Sequence, residues 1–196
     1  MSCLRIGLGY DVHAFAEAGG GVGAAGARAV GARTAGGAAG AEAVGNTQAV
    51  NRELVLGGVR IPFERGLEGH SDADVLIHAI MDALLGAARL GDIGAHFPDS
   101  DEATRGISSL TLLEYVGGML RAEGWQVTDI DSVVVAQAPR ISPYREAMRA
   151  NIARALDIEV KQVGVKATTT EYLGFEGRGE GIGAQAVALL QRAERE

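Results

Sequence analysis

The sequence predicts a mixed-sheet domain in which strands and helices interleave, α/β or α+β in class. Three observations predict it. An alternating apolar and polar run opens the chain, a Gly-Gly pair joins two short apolar runs, and segments with helical spacing fall between later β-branched runs. With 196 residues and 47% hydrophobic content, the chain suits a single domain over 1–196 with apolar material for a core.

Taken in order, Leu4, Ile6, Leu8, Tyr10 and Val12 alternate with Arg5, Gly7, Gly9, Asp11 and His13, the period of a half-buried strand. From Glu17 to Val50, 22 of 34 residues are Gly or Ala and none is aromatic. Such a stretch has too little large apolar surface to offset its ordering entropy. It reads as a flexible insertion at about 17–50, a surface loop rather than a functional module. Leu54-Val55-Leu56 and Val59-Arg60-Ile61, joined by Gly57-Gly58, read as a hairpin.

A helix is expected from Ser71, with Ser71 as N-cap and Asp74 three residues on in the manner of a capping box, running to about Arg89. A second starts near Ser108 or Ser109, carries Leu112, Leu113, Val116 and Leu120, and stops at Gly124. Ser132 to Ala138 form a Val-rich strand. Ser142-Pro143 opens a helix to about Leu156, with proline at the first helical position. Val163 to Thr170 read as a strand. Ile182 to Leu190 fits a helix or a strand, and Gly181 and Gly183 weaken a helix start.

The net charge of −7 argues against a nucleic-acid surface, which would cluster Lys and Arg. A single cysteine, Cys3, excludes an internal disulfide and a cysteine zinc knot. The opening run lacks the pattern of a signal peptide, and no apolar stretch approaches the roughly 20 residues of a bilayer span. The expectation is a cytoplasmic protein without a membrane segment. An acidic chain can still bind a phosphorylated ligand if metal ions and a few local cations neutralise the site.

The four histidines are His13, His70, His78 and His96. Asp11 and His13 are two apart in extended backbone and so emerge on one face. On the helix that follows Ser71, Asp74, His78 and Asp82 fall at i, i+4 and i+8, one polar stripe among apolar neighbours. A lone histidine on such a helix is ordinarily a hydrogen-bonded core residue. An acid near a metal-bound imidazole also fixes its tautomer, and Asp82 is placed one turn away for that task. Asp11, His13 and His78 would give three ligands and leave one position open, which suits catalytic rather than structural zinc.

Three polar, Gly-containing segments sit where strands or helices end. Gly69-His70-Ser71-Asp72 leads into the first helix, whose N-terminus favours anions. Residues 91–101 place three acids and His96 in one short loop. Lys166-Ala167-Thr168-Thr169-Thr170-Glu171 precedes a Gly-spaced run containing Phe175 and Arg178, and offers hydroxyl, carboxylate and guanidinium groups to a metal–diphosphate.

Six segments in order then carry a resemblance. They are 5–13, 69–78, Gly91-Asp92-Ile93-Gly94, Phe97-Pro98-Asp99-Ser100-Asp101, Ala136-Gln137-Ala138-Pro139, and 166–171 with Gly177-Arg178-Gly179-Glu180-Gly181. Together they resemble the 2-C-methyl-D-erythritol 2,4-cyclodiphosphate synthase family over nearly the whole chain except the insertion. The resemblance implies an α+β fold of the α/β-sandwich type, with a mixed four- to five-stranded sheet, helices on one face, and 182–190 as a strand. It implies a homotrimer with active sites between subunits. It implies a divalent metal, usually Zn²⁺ in such enzymes, on Asp11, His13 and His78, and a second Mg²⁺ or Mn²⁺ held by substrate phosphates and Glu171.

By the same resemblance, His70 and Thr169 polarise the phosphates. Asp11, Val12 and His13 contact the substrate, and His70, Ser71, Asp92, Ile93, Gly94, Phe97, Pro98, Asp99, Ser100 and Asp101 serve its methylerythritol phosphate side. Ala136, Gln137, Ala138, Pro139, Arg140, Ile141, Ser142, Thr168, Thr169, Thr170 and Glu171 serve the cytidine diphosphate, and Phe175 and Arg178 add contacts. Arg140 departs from the lysine of many relatives, keeping the charge with a planar fork. The implied reaction is attack of the substrate's own 2-phosphate on its β-phosphorus with loss of CMP. Two rivals are a metal-dependent phosphohydrolase with Asp72 or Asp74 as base, and a non-catalytic trimer that binds metal or isoprenoid phosphates.

Overall fold

The computed structural model describes residues 3–16, 53–98, 100 and 102–193. The 17–50 insertion, Asp99 and Asp101 lie outside the described residues. Twelve of the fourteen residues of helix α1 (Val75–Ala88) are buried, all but Asp82 and Gly86. A helix apolar around its whole circumference must be covered on every side. Here the cover is a sheet on one flank and helix α3 (Ser109–Ala122) on another.

The sheet is mixed and four-stranded, in the order β1 (Leu4–Ala14), β6 (Gly181–Arg192), β4 (Trp125–Val135), β5 (Val163–Thr168). The first two pairings are antiparallel and β4–β5 is parallel. A parallel pair needs a crossover, supplied by helix α4 (Arg145–Leu156). The hairpin of β2 (Leu54–Leu56) and β3 (Val59–Ile61) stands apart as its own two-stranded sheet. Gly57 and Gly58 both have positive φ, 57° and 67°, as the tight primed turn requires.

Short helices α2 (Ile93–His96) and α5 (Gly174–Gly177) complete the order. The terminal segment left open by its residues is strand β6. Its small residues Ala184, Ala186 and Ala188 are buried beneath α1, where larger ones would hold the helix off.

The alternation in β1 is present, but its sides are reversed from a simple amphipathic strand. Gly7 and Gly9 face α1, while Ile6 and Leu8 are 65% and 69% exposed. A Cβ on Gly9 would stand 1.9 Å from the Ala79 carbonyl oxygen, and one on Gly7 2.0 Å from that of Ala83. Strand and helix backbones therefore touch, and Asp11 and His13, on the same side as these glycines, are brought up against α1.

Three boundaries differ from expectation. The helix begins at Val75, not after Ser71, because Ala73 takes a left-handed φ of 59° that a helix cannot accommodate. Asp74 is the N-cap and accepts from Ile77 N at 3.1 Å. Strand β4 starts at Trp125, well before Ser132, with a bulge between Val127 and Asp129 that breaks the polar–apolar period. Ser142-Pro143 opens a 3₁₀ turn, and the α-helix proper follows from Arg145.

Candidate metal centre and phosphate pocket

Strand β1 carries Asp11 and His13 to its end on one face, and α1 presents His78 to them. His13 Nε2 lies 3.0 Å and His78 Nδ1 3.1 Å from Asp11 Oδ2. The two ring nitrogens are 3.2 Å apart. Ligands of a tetrahedral zinc at about 2.0–2.1 Å stand roughly 3.3 Å from one another. The three atoms therefore form one triangular face of such a site, and together they could hold a metal ion.

The hydrogen bonds fix which nitrogens can bind. His13 Nδ1 bonds the Glu68 carbonyl, which can only accept, so Nδ1 carries the proton and Nε2 of the neutral ring offers its lone pair. Gly69 makes room for this ring, since a Cβ there would lie 3.0 Å from His13 Cε1. Burial opposes the Asp11 charge, but hydrogen bonds and charge from His13 and His78 outweigh it and hold the carboxyl well below its ordinary value. Burial likewise disfavours a charged His13, and Asp11 outweighs that to raise its titration above the ordinary 6.5.

Asp82 does not serve His78. Its Oδ1 accepts from Ile93 N at 2.9 Å and pins the loop after α1. The partners of His78 Nε2 are hydroxyls, Ser71 Oγ at 3.1 Å and Ser109 Oγ at 3.0 Å. Ser71 is thus occupied at the histidine rather than at the helix cap. Asp74 is fully buried and clamps the hairpin turn, accepting from Gly57 N at 2.9 Å and Gly58 N at 2.7 Å. Burial and the charge of Asp72 push its carboxyl up to about 6, against these N–H groups.

A cavity of about 400 Å³ opens beside the triad. His70, Ser71, Ile93, Gly94, Phe97 and Pro98, which the resemblance assigns to the methylerythritol phosphate side, line it. Met81, Thr104 and Leu112 also line it, and sequence reading missed all three; Leu112 reads from the sequence only as core. Asp92 caps α2 through Ala95 N at 2.9 Å, and His96 bonds the Leu90 carbonyl outside the cavity. Val12 points from the opposite face of β1.

The remaining predicted residues are elsewhere in the chain. Val12, Gly183, Val135 and Thr168 stand in one row across β1, β6, β4 and β5. Three strand spacings separate the ends of that row, about 14 Å. Residues 136–142 and 168–171 thus gather at the β5 edge, and the triad at the β1 edge. At the β5 edge Thr169 Oγ1 donates to Glu171 Oε1 at 2.5 Å, and Gln137 Oε1 accepts from Tyr172 N at 3.3 Å. Arg140 Nε donates to Ser142 Oγ at 3.1 Å, and Ile141 is buried in the core. Phe175 lies near Gly183 on the outer sheet face, and Arg178 pairs with Glu180 at 2.7 Å.

A small α+β domain with an Asp-x-His strand end facing a helix histidine, beside a cavity of about 400 Å³, defines a class of proteins with a candidate metal site. The chain belongs to the YgbB family, whose profile matches residues 4–191. It is 52% identical over 189 residues to the 2-C-methyl-D-erythritol 2,4-cyclodiphosphate synthase of Desulforamulus reducens, covering 96% of this chain and 99% of that one. It is also 52% identical over 190 residues to the synthase of Syntrophomonas wolfei, covering 97% and 100%.

Among solved structures, the bifunctional IspDF from Campylobacter jejuni superposes with a TM-score of 0.79 at 36% identity, covering 99% of this chain and 44% of that longer one. The Plasmodium falciparum IspF in a CDP complex gives 0.71 at 29% identity, covering 97% of each.

Proposed function

We propose that the chain converts 4-diphosphocytidyl-2-C-methyl-D-erythritol 2-phosphate to 2-C-methyl-D-erythritol 2,4-cyclodiphosphate and CMP, a step of the non-mevalonate isoprenoid pathway. The observation that carries this is the convergence of Asp11, His13 and His78 beside a cavity of about 400 Å³, in a chain half identical to synthases of that name.

A 2-phosphate oxygen forms a bond to the β-phosphorus, the bridge to the α-phosphate breaks, and CMP departs with the electron pair. Nucleophile and leaving group belong to one molecule, so the protein's task is alignment and relief of charge repulsion. Zn²⁺ on the triad, with Mg²⁺ or Mn²⁺ near Glu171, would withdraw charge from the phosphate oxygens. Asp11, His13 and His78 hold the first ion. His70 polarises the sugar phosphates, and Ser71, Ile93, Gly94, Phe97 and Pro98 enclose them. Thr169 and Glu171 act at the diphosphate, and 136–142 with Thr168 seat the cytidine.

We place the complete site between copies of the chain, as a homotrimer. Two observations support this. The triad and the Thr169–Glu171 segment lie at opposite sheet edges, so one chain alone does not unite them. The outer face of β1 exposes Leu4, Ile6, Leu8 and Tyr10, each by more than half, an apolar row suited to a symmetric interface.

A phosphohydrolase is less well supported. Its nominated bases are engaged: Asp72 accepts from Ser109 and Asp74, and Asp74 from three backbone groups. Incubation with the substrate, Zn²⁺ and Mg²⁺, followed by phosphorus NMR, is expected to give stoichiometric CMP and two coupled ring-phosphorus signals. Linear phosphates in their place would mark a hydrolase.

A further inference from the structure

We infer that Asp72 and Ser109 are positioning residues of the metal centre, acting through His78 and touching neither metal nor substrate. The inference rests on the reading of Asp11, His13 and His78 as a cation site. Ser109 is fully buried at the start of α3, where the sequence marks it only as a candidate helix start. It is not the cap: Ser108 holds that place without a side-chain bond. Its hydroxyl instead reaches back to the loop before α1.

The proton count along this chain of groups is determined. Asp72 Oδ1 lies 2.5 Å from Ser109 Oγ, and Asp72 Oδ2 accepts from Ser109 N at 3.0 Å. An ionised carboxylate only accepts, so Ser109 gives its hydroxyl proton to Asp72. Ser109 Oγ then has only lone pairs for His78 Nε2 at 3.0 Å, and the ring must donate from Nε2. In the neutral ring this leaves Nδ1 bare, facing Asp11 Oδ2 and His13 Nε2. Ser71 Oγ, at 3.1 Å from Nε2, fits the same arrangement by giving its own proton to Ser109 Oγ at 3.3 Å, which leaves its lone pairs for Nε2 and for Ala73 N at 3.3 Å.

Carboxylate, hydroxyl and imidazole thus form a relay that selects the tautomer able to bind a cation. It also fixes the plane of the ring, since both hydroxyls sit on its Nε2 side. The acid expected for this task at Asp82, one helical turn from His78, is replaced by one reached through a serine on another helix. Without Ser109's committed proton, a hydroxyl at this place is free to donate to Nε2. The ring proton then moves to Nδ1, where it excludes the metal.

The test uses the full chain with zinc alone. Dissociation constants are measured by competition with a chromophoric chelator for the native protein, Ser109→Ala, Ser109→Thr and Asp72→Asn, with the visible spectrum of the Co²⁺-loaded forms as a second readout. Outer partners of metal-bound histidines govern about 10–100-fold in affinity. Ser109→Ala and Asp72→Asn are each expected to weaken zinc by that factor and to alter the cobalt spectrum, while Ser109→Thr restores both.

Asp72→Asn changes no volume, and it turns an acceptor into a donor that releases the serine proton, so it serves if Ser109→Ala does not fold. Native affinity and an unchanged cobalt spectrum in Asp72→Asn would overturn the relay while leaving the metal site standing. A native protein that binds no zinc would instead overturn the metal-site reading on which the relay rests.

Discussion

Asp11 and His13 illustrate what single residues declare. Their spacing of two in a strand settles that they share a face, and the strand period is visible in the sequence. His78 is different, because nothing in local spacing tells which histidine of a helix will meet a strand 65 residues away. Ser109 was illegible for the same reason, its role depending on a contact between two helices. The coupling of Asp11 and His13 has a pH consequence. His13 titrates above 6.5 in the metal-free protein, and a protonated ring cannot ligate. Zinc affinity is therefore expected to fall as pH drops through the raised value, with about one proton displaced per ion bound. Calorimetry in buffers of different ionisation heat measures this, and a flat profile from about pH 8 to pH 6 would refute it.

At the scale of elements, most of the architecture could be read, and the errors have local causes. The hairpin, α3, α4 and β5 follow from turn glycines, apolar periodicity and β-branched runs. The start of α1 was misplaced because Ser71 looks like a cap, while its oxygen is drawn to His78 by tertiary contact. The first half of β4 was hidden by outward-facing Asp129 and Asp131 and by the bulge before them. The reversed face of β1 was hidden too, since alternation does not say which side a helix covers.

Two substitutions probe these elements. Gly9→Ala sets a methyl 1.9 Å from the Ala79 carbonyl, so α1 must move away from β1. A loss of about 3 kcal/mol or more in unfolding free energy is expected, with weakened metal binding, because His78 moves with the helix. Native-like values in urea titration would show the close approach to be unnecessary. Asp74→Ala leaves three N–H groups without their acceptor and should cost about 3 kcal/mol. Asp74 holds its proton more tightly folded, at about 6 against 3.8, so its stabilising contribution falls as pH rises across that interval. The alanine variant should lack this slope, and retention of it would assign the slope to another group.

At the scale of the whole molecule, the sheet separates two halves of the chemistry. The edge strand β1 carries Asp11 and His13, two of the three candidate metal ligands, the edge strand β5 leads to Thr169 and Glu171, and an apolar row covers the outer face of β1. The resemblance implies active sites between subunits, but residue spacing does not show which residues fall at which sheet edge. A symmetric assembly that sets the β1 edge of one copy against the β5 edge of the next would unite them without altering the chain's own fold.

Mixing two inactive variants tests that arrangement most directly. His78→Ala would remove the proposed metal half and Glu171→Gln the proposed diphosphate half. If each site draws one half from each neighbour, random reassembly of equal amounts should restore about a quarter of native turnover, since one interface in four joins two intact halves. Recovery near that level is the predicted result. Mixed assemblies of proven composition that stay as inactive as either parent would contradict it, for then both halves must serve from the same chain.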